Sequence, residues 1–330
     1  MAVNLGFYSK ISSRLIQFVC VFCIVKLIAN SFLTPIENLA FEESYFESFN
    51  EETLRLWQST DSVVVGKHQN ALAESNFTFC RENNIPVIRR ISGGGTVFHD
   101  IGNINFSFYR FVNASSQINY QNNLDIIVDL LKTLGYKVMI NERHDLTLDG
   151  YKISGNAQHV RKGRALHHGT ILYDSNTDRL NQAIKRKTGQ FEDKAVRSVR
   201  SQVINLRNAK DHGPAPSFFQ LLVNTAKSKF DHIESVDKID SALLNKYGSD
   251  EWNLGYGPMY SFRNQEDGIE LEMQVKRGGE IVSIKLSDDF LNGQLQHFVG
   301  LKHHFESISN HIINSNTLSK HADLLIKILF

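Results

Sequence analysis

One short stretch, residues 89–108 (RRISGGGTVFHDIGNINFSF), constrains the fold and function of this chain more than any other. Three consecutive glycines, Gly93, Gly94 and Gly95, lie between strand-forming residues, and glycine backbones adopt conformations closed to other residues. The apolar alternation around them predicts strand, glycine turn, strand, turn and strand. A P-loop or a dinucleotide-binding fingerprint needs a helix directly after its glycines, so this pattern excludes both.

Polar residues crowd this glycine turn. Arg89, Arg90 and Ser92 precede it, and His99 and Asp100 follow it. Such a turn can direct several backbone N–H groups at an anion, while arginines supply positive charge. An isolated run of glycines would indicate an ordinary hairpin, but so many polar groups in one loop favour a binding site.

Composition limits the class of protein. The 330 residues, 42% hydrophobic and 22% charged, are typical of a globular protein with one large domain or a large and a small one. A net charge of +1 argues against a nucleic-acid footprint spread over the surface. Cys20, Cys23 and Cys80 are too few for a disulfide framework, and the CxxC spacing lacks a second ligand pair, so we predict no metal site.

The N-terminal segment has a composition of its own. Residues 1–36 contain no Asp or Glu but carry basic residues and several serines, which is typical of a mitochondrial transit peptide. A signal anchor over residues 15–28 is the alternative, but Lys26 interrupts a run shorter than the ~18 apolar residues that a membrane span needs. We expect a presequence over residues 1–22, then a first strand near residues 24–29.

Hydrophobic spacing and capping residues predict most other elements. Thr34-Pro35-Ile36-Glu37 is a capping box that opens a helix to about Phe49, and the helix around residues 124–134 ends at Gly135. Four further expectations concern a hairpin of residues 54–57 and 63–65, a weak helix over 71–84, a mobile basic loop over 185–201, and a helix capped by Ser217.

The strongest short-range signal is a hairpin over residues 146–153 with Asp-Gly at its turn. Strand alternation places Lys152 and Ser154 on one face. A lysine there can neutralise charge that develops on a carbonyl or phosphate oxygen, although most lysines are simply exposed. Its position directly after a tight turn favours the functional interpretation. His167 and His168 face opposite ways on the next strand, so they cannot both bind one ion.

Six motifs, in order over residues 35 to about 260, resemble those of the lipoate–protein ligase and lipoyltransferase family. They are PIENLAFEE, WQSTDSVVVGKHQN, RRISGGGTVFHDIGNINFSF, KISGNAQ, HHGTILYD and SVRSQVINL. The resemblance implies an α+β fold, a mixed sheet with helices like that of biotin–protein and lipoate–protein ligases, followed by a small C-terminal α+β accessory domain. The chain changes to short strands from about Trp252, and we place a domain boundary near residue 245. We therefore expect a presequence (1–22), a catalytic domain (23–245) and an accessory domain (246–330).

The resemblance also implies an enzyme of protein lipoylation. It would transfer a lipoyl group, from lipoyl-AMP or a lipoylated carrier such as H protein, to a lysine of the lipoyl domains of 2-oxoacid dehydrogenase E2 subunits, with glycine-cleavage H protein as a further partner. The alternative is an ATP-dependent ligase that uses ATP and Mg²⁺ to form lipoyl-AMP. The expected matrix location favours transfer only, whereas Arg200 and Gly169 match the ligase pattern. Nucleic acid and membrane are not expected partners.

Position by position, the resemblance implies that Lys152 is catalytic at the carboxyl–phosphate junction, near Asp145. It implies that Gly169 and Thr170 wall the adenosine side and that Ser198 and Arg200 close over the nucleotide. The complete implied set for lipoyl-adenylate binding is Arg90, Ser92, Gly93, Gly94, Gly95, His99, Asp145, Gly169, Thr170, Ser198 and Arg200.

Three other functions fit the sequence less well. A biotin–protein ligase has a different arginine- and glycine-rich loop. An octanoyltransferase that uses a cysteine nucleophile needs a thiol in the site, and Cys80 on a predicted helix is a poor candidate. A non-catalytic lipoyl- or nucleotide-binding protein would not need Lys152.

The N-terminal composition leads to a prediction about location. Residues 1–30 fused to a fluorescent reporter should carry it into the mitochondrial matrix, because the segment is basic and lacks acidic residues. Fluorescence microscopy with matrix and secretory markers checks this. Reporter found in the cytosol or the secretory pathway would contradict it.

Overall fold

The computed structural model describes residues 26–29, 32–113, 120–184, 189–195, 197–198, 201–231 and 239–330. The expected presequence, residues 1–22, and Arg200 both lie outside these residues. No helix in the described ranges is long and apolar enough to cross a membrane. The fold is α+β, as the sequence predicts.

The strands and helices have these bounds. The strands are β1 Lys26–Ala29, β2 Thr53–Gln58, β3 Ser62–Val65, β4 Val87–Arg89, β5 Val97–His99, β6 Asn103–Phe111, β7 Met139–Ile140, β8 Leu146–Leu148, β9 Tyr151–Lys152, β10 Asn156–Arg161, β11 Arg164–Leu172, β12 Gln190–Asp193, β13 Tyr260–Glu266, β14 Ile269–Val275 and β15 Ile281–Leu286. The α-helices are α1 Pro35–Ser48, α2 Ala71–Glu74, α3 Phe77–Glu82, α4 Tyr120–Thr133, α5 Thr177–Ala183, α6 Ala215–Lys227, α7 Ser241–Tyr247, α8 Asp289–Leu295, α9 Phe305–Asn314 and α10 Ala322–Leu329.

A five-stranded sheet in the order β1-β2-β6-β11-β10 forms the centre of the molecule. Apolar side chains of α4 and α6, such as Leu131 and Phe218, pack in the core that covers one face. Leu39 and Phe46 of α1 belong to the core on the other face. Each fully buried side chain of this kind contributes about 1.5–3 kcal/mol to folding, so these two cores hold the sheet between the helices.

The glycine turn connects strands of a second, three-stranded sheet in the order β4-β3-β5. β4 lies parallel to β3 on one side, and β5 lies antiparallel to it on the other. The strands before and after Gly93–Gly95 therefore do not pair with each other. The glycine run crosses the end of β3, so it is not the turn of an ordinary hairpin.

The expected hairpin of residues 54–57 and 63–65 is wrong. β2 pairs with β1 and β6 in the central sheet, whereas β3 belongs to the second sheet. The chain changes sheets at residues 59–61, where the backbone N–H of Thr60 donates to the Leu33 carbonyl (2.7 Å) instead of closing a hairpin turn. The turn residues did not indicate the change of sheet, because hairpins and sheet-to-sheet connections use the same residue types.

The hairpin that carries Lys152 forms as predicted. β8 and β9 pair antiparallel, with Thr147 opposite Lys152. Asp149 and Gly150 have φ angles of 52° and 83°, which is the geometry of a two-residue turn that matches the twist of the strands. The expected first strand is present at Lys26–Ala29. The capping box at Thr34 is also confirmed, because the Thr34 hydroxyl accepts from the Glu37 backbone N–H.

Three other local expectations need correction. Residues 71–84 form two short helices, because Asn70 caps α2 and Asn76 caps α3. Helix α6 begins at Ala215 after Pro214, so Ser217 lies inside it and does not cap it. Within residues 185–201, which were expected to form a loop, Gln190–Asp193 form strand β12.

A four-stranded sheet, β12-β13-β14-β15, forms the C-terminal unit together with α8, α9 and α10. Its first strand comes from within the expected catalytic domain and pairs with β13. The accessory sheet is thereby linked to the segment that contains Ser198, five residues after the end of β12.

Candidate functional site

A cavity of about 330 Å³ lies between the central sheet, the glycine turn and the Lys152 hairpin. Eight of the residues expected from sequence line it: Arg90, Gly95, His99, Asp145, Lys152, Gly169, Thr170 and Ser198. Its apolar part is formed by Leu39, Trp57, Val64 and Val97. The cavity therefore combines an apolar surface with charged side chains.

Arg90 is almost fully buried and holds the glycine turn in shape. Its guanidinium donates to the carbonyl oxygens of Val64 (3.1 Å), Gly93 (2.5 Å) and Gly95 (2.7 Å), and to the Ser92 hydroxyl (2.8 Å). Burial lowers the pKa of Arg90 to about 10, which leaves it charged at neutral pH. Because these bonds use most of its donors, Arg90 positions the turn and has little capacity left for an anion.

Behind the turn lies a buried chain of three polar residues that sequence reasoning did not find. The Ser92 hydroxyl lies 2.6 Å from His168 Nε2, and His168 Nδ1 lies 2.9 and 3.0 Å from the Glu42 carboxylate oxygens. Glu42 also accepts from the Ser107 hydroxyl (2.6 Å). Burial opposes its charge, but His168 and these hydrogen bonds hold the pKa of Glu42 below its ordinary value.

The order Ser92, His168, Glu42 resembles a hydrolase triad in its contacts, but not in its accessibility. Ser92 has no exposed surface and does not line the cavity, so it cannot attack a substrate there. Its hydroxyl instead connects Arg90 to His168, which does line the cavity. Ser92, His168 and Glu42 are far apart in the sequence, so their contact could be recognised only in the folded structure.

His99 presents an uncharged ring to the same cavity. Burial lowers its pKa to about 3, with smaller contributions from Arg90 and His168. The Trp57 ring packs edge-on against it, with centroids 5.6 Å apart. Among the described residues no partner lies within hydrogen-bonding distance of His99 Nδ1, so this buried atom has an unused hydrogen-bonding capacity.

Lys152 pairs with Asp145 in the wall of the cavity, with 2.7 Å between Nζ and Oδ1. The strand that carries Lys152 is held on both sides, by Thr147 and by Val203. The Lys152 side chain remains 22% exposed, so the ammonium is both fixed and accessible. The expected proximity of Lys152 and Asp145 is thus present in the structure.

A second cavity of about 210 Å³ adjoins the first. Lys152 and Thr170 line both cavities, as does Ser198. Gly169 lines only the larger cavity. A Cβ added at Gly169 would lie 2.4 Å from Asn156 Oδ1 and 2.4 Å from the Phe106 ring, so this position has no room for a side chain. The side cavity is mainly apolar, with Phe98, Leu172, Leu180 and Ile184 among its lining residues.

Ser198 is tied to the glycine turn through residues that the sequence did not single out. Its hydroxyl accepts from the Thr96 backbone N–H (2.8 Å) and from Gln69 Nε2 (3.2 Å), and it donates to Glu74 (2.5 Å). Gln69 also accepts from the Thr96 hydroxyl (2.9 Å). Gln69 and α2 therefore position Ser198, which lines both cavities.

Arg89 has a structural role. It is fully buried and donates to the carbonyl oxygens of Gly66, Lys67 and Gln69 and of two residues in the π-helical turn Glu251–Gly255. Burial lowers the pKa of Arg89 to about 10. Arg89 thereby joins residues 66–69 to residues 252–253, which precede the accessory sheet.

The described residues contain no group of three or more His, Cys, Asp or Glu that could hold a metal ion.

Comparison with known proteins gives consistent matches. The family model of the lipoyl protein ligase A/B catalytic domain matches residues 34–233. Lipoate–protein ligase 1 of Staphylococcus aureus is 33% identical over 303 residues, which cover 86% of this chain and 92% of that protein.

Two solved structures show the same fold. LipL1 of P. falciparum in complex with lipoate superposes with a TM-score of 0.58 at 22% identity, covering 92% of this chain and 99% of that one. Lipoate–protein ligase A bound with ATP also gives 0.58 at 24% identity, covering 70% and 99%. These matches confirm the ligase-like fold that the six motifs implied.

The glycine turn provides a matched pair of variants. Gly94 has a φ of +84°, and an added Cβ would lie 3.1 Å from Arg90 Nη2, whereas nothing lies within 4 Å of a Cβ at Gly93. Gly94→Ala should lower the free energy of unfolding by about 1–2 kcal/mol, because a left-handed backbone strains any residue with a Cβ.

Gly93→Ala should change that free energy by less than about 0.5 kcal/mol. Urea denaturation followed by circular dichroism measures both variants. Equal stabilities would contradict the assigned conformation. Gly95 is outside this comparison, because its φ is not left-handed and an added Cβ would instead meet Ser198 Oγ at 3.1 Å.

Proposed function

Because the chain belongs to the family of lipoyl protein ligase A/B catalytic domains, we propose that it transfers a lipoyl group from lipoyl-AMP to a lysine of a lipoyl domain. The acceptors would be lipoyl domains of 2-oxoacid dehydrogenase E2 subunits, with glycine-cleavage H protein as a further partner. The relatives are lipoate–protein ligases, so the general activity is protein lipoylation. The N-terminal composition supports action in the mitochondrial matrix.

The position of Lys152 is the observation that carries this proposal. Its ammonium lines both the larger cavity and the side cavity, next to Asp145. A lipoyl-adenylate has an apolar acyl chain at one end, an aromatic base at the other, and a carboxyl–phosphate anhydride between them. A cation at that anhydride would stabilise its charge, and Lys152, which lines both cavities, supports this assignment.

Other lining residues suit the two ends of such a molecule. The acyl chain would lie against Leu39, Trp57 and Val97 in the larger cavity, with the neutral His99 ring beside it. The base would enter the side cavity, near Phe98 and Leu180. Buried amide groups of Asn105 and Asn156, which have atoms without partners among the described residues, could fix polar parts of the ligand.

In the transfer step, the acceptor lysine must arrive as the neutral amine. Its nitrogen attacks the acyl carbon, the new C–N bond forms, and the C–O bond to the phosphate breaks, so that AMP leaves with the electron pair. The amine loses one proton to the surroundings. Lys152 stabilises the negative charge that develops on the carbonyl and phosphate oxygens, while Asp145 keeps the ammonium in place. Orientation of the two reactants supplies the rest of the rate enhancement.

Lys152 and its neighbour give a direct test. Lys152→Ala should lower transfer from lipoyl-AMP to an apo lipoyl domain by about a hundredfold or more, the usual cost of losing one charge-stabilising group. Tyr151→Ala should keep near-normal turnover, because Tyr151 is 46% exposed and lines neither cavity.

A gel-shift or mass-spectrometric assay of the acceptor measures both rates, with circular dichroism as the check on folding. A folded Lys152→Ala variant with normal turnover would remove the central residue from the proposal. If the unchanged chain does not lipoylate the acceptor, the proposed function itself is wrong.

A second candidate function is the complete ligase reaction, in which lipoate and ATP first give lipoyl-AMP and pyrophosphate. The ligase relative and the ATP-bound neighbour favour it, whereas the expected mitochondrial address favours transfer only. Arg200, the sequence argument for ATP use, lies outside the described residues.

Pyrophosphate release separates the two candidates. The chain is supplied with ATP, Mg²⁺ and free lipoate, without an acceptor, and pyrophosphate is measured by a coupled enzyme assay. For an enzyme that only transfers, we expect no release above the lipoate-free control, together with efficient transfer from lipoyl-AMP. Lipoate-dependent release that is lost in Arg200→Ala would instead establish the ligase reaction.

A further inference from the structure

Strand β10 is an open edge of the central sheet. It is the last strand in the order β1-β2-β6-β11-β10, and it pairs only with β11 among the described strands. An open edge presents unpaired backbone N–H and C=O groups, which can pair with a strand of another chain. No proline interrupts Asn156–Arg161, and Val160 on this strand is 52% exposed.

The hydrogen-bond pattern shows which residues present these groups outward. The backbone N–H of Thr170 donates to the Gly155 carbonyl (3.0 Å), so residues 155 and 170 form a hydrogen-bonded pair. In an antiparallel ladder such pairs alternate with non-bonded ones. With the observed register, Ala157 and His159 bond to β11, and the backbone groups of Gln158 and Val160 point away from the sheet.

The open edge begins at the cavity that contains Lys152. Asn156 and Ala157, the first residues of β10, line that cavity. A lysine side chain has only four methylene groups, so an acceptor backbone must pass close to the cavity mouth to place its amine there. A segment lying along Gln158 and Val160 would meet this requirement.

A further cavity of about 220 Å³ lies beside the same edge. His159 and Arg161 of β10 line it, together with Lys67, Lys246, Trp252 and Tyr256 and with the acidic Glu43 and Glu47. Alternate side chains of an added strand project to one face of the sheet, so such a groove can accept them. Lys246 pairs with Glu43 and Arg161 pairs with Glu47. We therefore expect Lys67, which lies beside the Tyr256 ring, to meet a carboxylate of the added strand.

An exposed cation lies at each end of the edge. Lys162 is exposed at the tip of the β10–β11 hairpin, and Arg143 is exposed at the mouth of the main cavity. Arg161 is also exposed and pairs with Glu47 at 2.8 Å. The described part of this edge therefore matches an acidic partner better than a basic one.

We propose that the β10 edge is the docking surface for the acceptor protein. An extended, acidic segment that carries the acceptor lysine pairs with Gln158 and Val160, adds a sixth strand to the central sheet, and thereby delivers the lysine to Lys152. This inference rests on the proposed function and adds the surface on which the acceptor binds. Backbone pairing supplies affinity, and the basic residues supply orientation.

Two variants test the edge without touching the cavity. Val160→Pro removes one outward N–H, which edge strands tolerate because the bond to β11 is unaffected; Val160→Thr keeps the N–H and is its control. Lys162→Glu reverses the charge at the hairpin tip, and Lys285→Glu, at an exposed lysine of β15, is its control.

We expect Val160→Pro and Lys162→Glu each to lower kcat/KM for an apo lipoyl domain by about tenfold. The loss in Lys162→Glu should shrink at high salt. The Kd for lipoyl-AMP, measured by calorimetry, should stay unchanged in all four variants. Wild-type kcat/KM in both test variants, with transfer by the unchanged chain intact, would overturn the docking surface but leave the proposed function standing.

Hydrogen exchange gives an independent readout if Val160→Pro fails to fold. The unchanged chain is saturated with an acceptor whose target lysine is replaced by arginine, so that no transfer occurs. Amides of residues 158 and 160 should become protected at least about tenfold, and those of 283 and 285 in β15 should not. Unchanged exchange at 158 and 160 in the saturated complex would contradict the proposal.

Discussion

The buried guanidinium of Arg90 is the constraint on which the site depends. A charge without solvent must be surrounded by acceptors, and Arg90 finds them in the carbonyl oxygens of Val64, Gly93 and Gly95. The turn can direct these oxygens inward only because Gly94 adopts a left-handed conformation. The same guanidinium fixes the Ser92 hydroxyl, and through it the ring of His168 that faces the cavity.

This arrangement decides which cations remain for a ligand. Arg89 and Arg90 are both satisfied by carbonyl oxygens, so neither is the natural partner of a phosphate in this structure. Lys152 forms an ion pair with Asp145 and stays partly exposed. The two arginines therefore give the site its rigidity, and Lys152 gives it the accessible charge.

Sequence reasoning reached those features that depend on local chemistry. The Asp149-Gly150 hairpin, the Thr34 capping box and the glycine turn between two strands follow from backbone preferences of a few adjacent residues. The family motifs contain most of the cavity residues, including Lys152. These parts are predictable because each is specified by neighbouring positions or by a contiguous motif.

Features that join distant segments were not predictable. Glu42, Ser92 and His168 meet only after α1, the glycine turn and β11 pack together. Strands β2 and β3 look like a hairpin in sequence, yet each is buried in a different sheet. The role of Arg89 was also hidden, because an arginine that binds carbonyl oxygens and one that binds phosphate look the same in a sequence.

The central claim is that the two adjoining cavities hold the two ends of a lipoyl-adenylate, with its anhydride at Lys152. A crystal structure of the chain with lipoyl-AMP, or with a non-hydrolysable analogue, tests it most directly. We predict the acyl chain beside Trp57 and Val97, the base near Phe98 and Leu180, and Lys152 Nζ within hydrogen-bonding distance of the carboxyl–phosphate junction. A ligand whose anhydride lies away from Lys152, or whose base lies outside the side cavity, would contradict the account.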